Sequence, residues 1–482
     1  MTSSTTDGAL RGLTRVVGFL VAVEVASGVL QGYYTPVWSD IADHLSVSTA
    51  DVNWFEAAQL IVSALLVPLL ARLGDLYGPR KVLLASTAVT ALGSWVLAFS
   101  PNFVTFLIGF AIQGAYVVWL PMEVAIVHRR TAGTGQQDRL TRRAAAVLVG
   151  ALELSVIVGA LTSGALVAAT SMTVLLALPA IVVTVVGVLV AYGVEDVPGT
   201  GRGDLDLVGL GLVTAALGLV MAGLITVRLQ GPGSVLAWAL VLAGLAVGVP
   251  FVRYEAAQPE PVVDVRVLAQ RAQWPVQLTA FLFGMSVLGA QIPLSTFATA
   301  DPSVDGYGLG AKASFVSVLI GLYVVALAVG AFTLPLTSRL LGARGALVGS
   351  SLLVALGYAL WVPFHDTPGQ AVTNMMVAGL GSGALVAALP AAAAAAAPAD
   401  RTGFATGMTN ATKTVGGAIA SSVFAIALAA TGSLDGPTTS ADAPASVARA
   451  SLSGYLTVWT VCAVAALAAA AALLALPRPV DR

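Results

Sequence analysis

The chain has 482 residues, 57% hydrophobic and 10% charged, with a mean hydropathy of +0.91. Charged residues make up about a quarter of a soluble domain, so a soluble fold is excluded and an integral membrane protein is implied. A net charge of −1 points to no nucleic-acid partner, and the single cysteine, Cys462, rules out an internal disulfide and a cysteine-based metal site.

A helix needs about 20 apolar residues to cross the hydrocarbon core. Runs of that length predict fourteen spans, at 13–36, 53–73, 81–100, 103–127, 143–169, 172–193, 205–227, 234–252, 274–297, 312–335, 345–363, 370–393, 404–430 and 453–476. The first run is too long for a signal-peptide core and stays as a span. Residues 128–142 and 253–273 are charged connections, the latter expected to lie along the membrane surface as a short amphipathic piece. Residues 298–311 and 431–452 are loops rich in Asp, Gly, Pro and Ser. Of the 23 Lys and Arg, all but Arg228, Lys312, Arg449 and Lys413 fall on the side of both termini. The positive-inside rule then puts both termini in the cytoplasm of a multi-pass protein of the inner (plasma) membrane.

Two internal echoes indicate a duplication. Pro68-Leu69-Leu70-Ala71-Arg72-Leu73 followed by Gly78-Pro79-Arg80 recurs as Pro335-Leu336-Thr337-Ser338-Arg339-Leu340 followed by Gly342-Ala343-Arg344. Gly150 and Gly159 in the fifth span recur at the same separation as Gly407 and Gly416 in the thirteenth. Both relate spans 1–6 to spans 9–14 and leave spans 7 and 8 as an inserted pair. The expected organisation is a six-helix bundle over 1–200, two linker helices over 201–260 and a second six-helix bundle over 261–482. Repeated bundles of six are a hallmark of secondary transporters, whose sites lie between the halves.

The turn after the second span reads Leu73-Gly74-Asp75-Leu76-Tyr77-Gly78-Pro79-Arg80-Lys81. It resembles the Gly-x-Leu-Ala-Asp-Arg-x-Gly-Arg-Lys signature of the major facilitator superfamily, matched at Leu73, Asp75, Gly78 and Arg80. Ala71, Leu76 and Pro79 depart from it. The whole chain is similar to the fourteen-span drug:proton antiporter branch, which implies an all-α membrane fold of two six-helix bundles plus two inserted helices. The resemblance implies a cytoplasmic latch at Asp75 and Arg80, an aspartate being favoured near the positive end of a helix. The alternative for the basic pair Arg80 and Lys81 is a plain loop anchor. In the fifth span Gly159-Ala160-Leu161-Thr162-Ser163-Gly164 keeps the end glycines of a stretch associated with exporters, although small residues at that spacing also serve ordinary helix packing. Where the resemblance expects an acid in the first span and an arginine in the fourth, this chain has Ser27 and Phe110.

A charge at mid-bilayer costs about 2.5–3.5 kcal/mol, so each one retained is a functional candidate. Glu24 lies near the middle of the first span, one turn from Ser27, and is a candidate proton carrier; the alternative is a protonated glutamate hydrogen-bonded to a neighbouring helix. Glu153 and Lys413, on duplicated helices of opposite halves, are candidates for a gate ion pair switched by protonating Glu153, unless Lys413 reaches the interface by snorkelling. Glu123, close to His128, Arg129 and Arg130, reads as a solvated ion pair, and Glu56 as an interface residue. His44, His128 and His365 fall in expected loops and make no metal or catalytic site.

Absence of an arginine cluster argues against phosphate or dicarboxylate substrates. Gln31, Tyr34, Gln59, Gln113, Tyr116, Trp119, Gln291, Tyr323, Asn374 and Asn410 scatter polar groups among aromatics, a wall suited to an amphipathic organic molecule. The expected activity is proton-coupled export of drugs or metabolites by a monomer in the lipid bilayer, without cofactor or metal. The alternative is a facilitator or proton-coupled importer on the same fold. An enzyme is not expected, because acids, histidines and nucleophiles do not cluster near one interface.

Overall fold

In hydrocarbon no water satisfies a backbone amide, so a spanning segment must close its own hydrogen bonds. The computed structural model describes residues 3–131, 136–196, 198–199, 206–259, 261–398, 402–430 and 450–476, and every regular element among them is a helix. The order begins α1 (Ser3–Gly32), α2 (Trp38–Leu45), α3 (Asn53–Tyr77) and α4 (Pro79–Ala98). There follow α5 (Phe103–Gln113), a 3₁₀ turn (Gly114–Val118), α6 (Trp119–Arg130), α7 (Gln137–Leu166) and α8 (Met172–Gly193). Next come α9 (Leu207–Gln230), α10 (Val235–Ala257), α11 (Val265–Leu268), α12 (Trp274–Val287), α13 (Gln291–Thr299) and α14 (Pro302–Asp305). The last are α15 (Ala313–Ala359), α16 (Pro368–Ala396), α17 (Thr402–Ala430) and α18 (Leu452–Leu473).

Among the described residues twelve helices are long and apolar enough to cross a membrane. One of them, α15, has 47 residues, about 70 Å at the helical rise and more than twice the hydrocarbon thickness. It is broken at Gly342, whose φ of 74° and ψ of 162° are non-helical. The run expected at 53–73 belongs to α3, whose described apolar stretch, Asn53–Val67, is shorter than the other twelve. Residues 37–52, expected as a loop, carry the short helix α2, which buries Trp38, Ile41, Ala42 and Leu45 on one face. Of the expected surface piece at 253–273, residues 253–257 end α10 and 265–268 form α11.

The chain forms two compact units, one of residues 1–36 and 65–205, the other of 37–64 and 206–482. In the first, α1 packs on α7 and α8, α4 on α5 and α8, and α6 on α7. In the second, α12 packs on α17 and α18, α15 on α16 and α18, and α16 on α17. The two pairing schemes are the same scheme repeated.

Glycine governs the tightest contacts in both units. A Cβ at Gly28 or Gly32 would overlap the carbonyl oxygens of Leu152 and Val156 on α7, and one at Gly159 would come within 3.1 Å of the Val29 Cα. In the second unit, Gly284 faces the Lys413 carbonyl and Gly416 the Phe281 carbonyl. Gly159 and Gly416, matched by the sequence echo, therefore do the same work. The second core also holds an aromatic cluster in which Phe297 meets Trp361 edge-on at 5.8 Å and Tyr455 at 5.2 Å, while Trp361 stacks on Trp459 at 5.0 Å.

The other echo is equally physical. Gly78 (φ 104°) and Gly342 (φ 74°) both take a positive φ, which a residue with a Cβ resists. Two residues later, Arg80 donates to the carbonyls of Val194 and, at 2.8 Å, Ala191, at the end of α8. Arg344 donates to the Leu474 carbonyl at the end of α18. In each unit an arginine caps the last helix, satisfying carbonyls that helix leaves open and opposing its dipole.

Two outcomes are expected in thermal unfolding of the purified protein. Gly32→Ala forces α1 from α7 and destabilises the protein by about 1–3 kcal/mol, whereas Gly18→Ala, inside α1 with open space around it, holds or raises the midpoint, Ala being the better helix former by about 0.5–1 kcal/mol. Arg344→Ala and Arg80→Ala each cost about 1.5–3 kcal/mol, the range for hydrogen bonds from a charged donor.

Candidate functional site

The first unit gathers its polar groups where the span Phe103–Arg130 is interrupted. The 3₁₀ turn Gly114–Val118 separates α5 from α6, and a mid-span stretch of this kind commonly marks a functional position. Gln113, fully buried at its start, donates through Nε2 to the Tyr34 hydroxyl at 3.0 Å and to Ser94 Oγ at 2.9 Å. Tyr34 in turn packs edge-on against Phe110 at 5.2 Å and Tyr33 at 5.9 Å, and Tyr33 donates to the Leu175 carbonyl at 2.9 Å. Phe110, where the resemblance implies an arginine, thus supplies a ring wall. Gln31 is exposed, and its amide donates to Ser27 Oγ at 3.3 Å.

Within the turn, Tyr116 lies edge-on to Trp119, the first residue of α6, at 6.0 Å. Trp119 is fully buried, and its Nε1 meets no acceptor among the described residues. One turn further on the same face of α6 is Glu123, which is 0% exposed, and opposite it on α1 is Glu24, at 1%. The two carboxyls lie close enough to act on each other. No donor group among the described residues reaches any of their four oxygens. A hydrogen bond between them needs a hydrogen from one of the acids themselves, since two carboxylates have none to share.

This placement corrects the expectation of a solvated Glu123. Its expected partners turn elsewhere: Arg130 pairs with Glu195 at 2.7 Å, and Arg129 donates to the Pro198 carbonyl at 3.0 Å, both on the segment leaving α8. His128 and His44, expected in loops, sit in the last turns of α6 and α2. Glu153 is half-buried on α7 in the first unit. The side chain of Asp75 lies outside the described residues.

The remaining candidates belong to the second unit. Gln59 is buried on α3. Gln291 donates to the Val287 carbonyl at 3.1 Å, bridging the break between α12 and α13. Asn374 donates to the Phe364 carbonyl at 2.7 Å and so ties α16 to the turn that precedes it. Tyr323, Asn410 and Lys413 are half-buried. Glu56, in the first turn of α3, holds its Oε2 buried with no donor among the described residues, at the helix end where a negative charge is favoured.

Comparison with known proteins agrees with this architecture. The chain is 24% identical over 394 residues to the uridine/deoxyuridine transporter of Lactococcus lactis, covering 76% of this chain and 80% of that one. It is 27% identical over 419 residues to a probable actinorhodin transporter of Streptomyces coelicolor, covering 82% and 68%. Among solved structures, a point mutant of the nucleoside transporter NupG superposes with a TM-score of 0.66 at 13% identity, covering 96% of this chain and 100% of that one. An auto-inhibited POT family peptide transporter gives 0.67 at 15% identity, covering 97% and 98%. Residues 20–421 match the Major Facilitator Superfamily, and the chain, an all-α multi-pass membrane transporter and not an enzyme, belongs to it.

Proposed function

We propose that this transporter exports small amphipathic organic compounds by proton antiport with alternating access. The observation that carries the reading is Glu24, an acid buried in the middle of a membrane span with no donor among the described residues. A group of that kind, retained at a cost of a few kcal/mol, is suited to loading and unloading a proton. The likeness to a probable actinorhodin transporter supports an organic product as cargo.

Fourteen crossings fit the break of α15 at Gly342 together with α3, and the division at 200 and 260 follows the repeated pairing scheme. Both termini lie in the cytoplasm on this reading, and the unit of function is a monomer in the inner membrane. Glu153 and Lys413 act as a gate pair between the halves, and Asp75 with Arg80 as a latch on the cytoplasmic side. Tyr34, Gln113, Tyr116 and Trp119 supply one wall of the substrate path, with Gln31 at its edge. Gln59, Gln291, Tyr323, Asn374 and Asn410 contribute from the second unit. Multidrug resistance is the phenotype such an exporter would confer.

A facilitator or importer is the second reading, favoured by the likeness to a uridine/deoxyuridine transporter and by Ser27 and Phe110 in place of the expected charges. Radiolabelled uridine and a panel of amphipathic dyes, presented to proteoliposomes with and without an imposed pH gradient, separate the two. Export by antiport requires gradient-driven movement of at least one dye, abolished in Glu24→Gln; uridine uptake indifferent to the gradient selects the facilitator.

For the gate, Lys413→Ala and Glu153→Gln are expected to shift side-specific labelling of introduced cysteines, with a double variant that differs from the sum of the singles. Simple additivity would remove the pair from the mechanism.

A further inference from the structure

The sequence assigns Glu123 no part in proton handling, and the structure sets it against Glu24. On the reading that Glu24 is a proton carrier, we propose that Glu24 and Glu123 form a single proton-sharing site, and that Glu123 exchanges the proton between Glu24 and the α6 end of the span. In the transfer the O–H bond of one carboxyl breaks as that of the other forms, leaving the first a carboxylate; no oxidant, reductant or other reactant enters.

Three observations carry this. First, both acids are buried, each acts on the other, and none of their four oxygens meets a donor group among the described residues. Second, the pair is closed off by apolar residues: Leu20, Val23, Met122, Ile126 and Val127 are all buried in the same cluster. A carboxylate pair in such surroundings is untenable without a proton or cation. Third, Glu123 lies seven residues before Arg130, about 10 Å along the helix, so it stands between Glu24 and the charged foot of α6.

The elements packed against the pair carry other charged or titratable groups. They are Arg143 and Glu153 on α7, Arg80 and Lys81 at the head of α4, Tyr192 at the end of α8, and His128, Arg129 and Arg130 at the foot of α6. Arg80 is bound to the end of α8, Arg129 and Arg130 to the segment after it, and His128 lies beside Thr141.

Infrared spectroscopy of the protein in lipid nanodiscs tests the proposal without any substrate, by following the protonated carboxyl C=O band through a pH titration. Wild type is expected to lose this band in two steps. Glu24→Gln and Glu123→Gln are each expected to leave one step, displaced by about one pH unit or more from both wild-type steps, as for interacting sites. Glu24→Asp and Glu123→Asp, which keep the charge and shorten the reach, provide a second arm and are expected to move both steps. Glu→Gln variants that each remove one step and leave the other in place would overturn the shared site. Pair behaviour in the infrared with Glu123→Gln retaining wild-type gradient-driven dye export would overturn the exchange role alone. A protein that exports nothing yet shows the coupled titration would refute antiport and leave the pair standing.

Discussion

Lipid tails offer a polar group nothing to bond with, and that constraint organises the molecule at every scale. It forces the backbone into helices, and it turns small hydroxyls back on their own helices: Thr87 donates to the Leu83 carbonyl at 2.7 Å, Ser94 to Thr90 at 2.8 Å and Ser350 to Ala346 at 2.7 Å. It also explains why two glutamates stand out. Where such hydroxyls have been given a partner on their own helix, Glu24 and Glu123 have only each other among the described residues.

The same constraint shapes how helices meet. Between spans there is little hydrophobic gain to collect, since lipid is as apolar as leucine, so contact is made by letting backbones approach. Gly28, Gly32 and Gly159 do this for α1 and α7, as Gly284 and Gly416 do for α12 and α17. The glycines therefore locate the helix carrying Glu24 and the helix carrying Glu153 as firmly as a polar bond would.

Much of this was legible in the residues. Apolar run length located the twelve helices described as long enough to cross, because bilayer thickness is a hard ruler; one echo was legible because a positive-φ glycine and an arginine cap serve the turn, the other because glycine lets facing helices close on each other. Glu24 declared itself by its depth. Glu123 did not, and the reason lies in the 3₁₀ turn before it. Five residues at three per turn advance the helix about 100° further than the α-helical period assumes, so the face on which Glu123 emerges cannot be counted from Gln113. At Asn374 the residue type suited a polar wall, and the structure adds that its amide also holds the turn before α16. The helix α2 was hidden because eight residues are too few for a span and were counted as loop.

The pair α9 and α10 has a consequence for how such a chain can grow. Gly223 lies against Ala237 and Val241, and Gly244 against Ala216 and Val220, so each helix finds its closest neighbour in the other. Arg228 at the end of α9 adds an ion pair with Asp51 at 2.9 Å, and Ser422 donates to the Met221 sulfur at 3.6 Å. A lone extra crossing would turn every later helix upside down and demand a new partner from its host. A hairpin that arrives already paired preserves the sidedness of the downstream helices, and needs only a few points of attachment to become part of the protein.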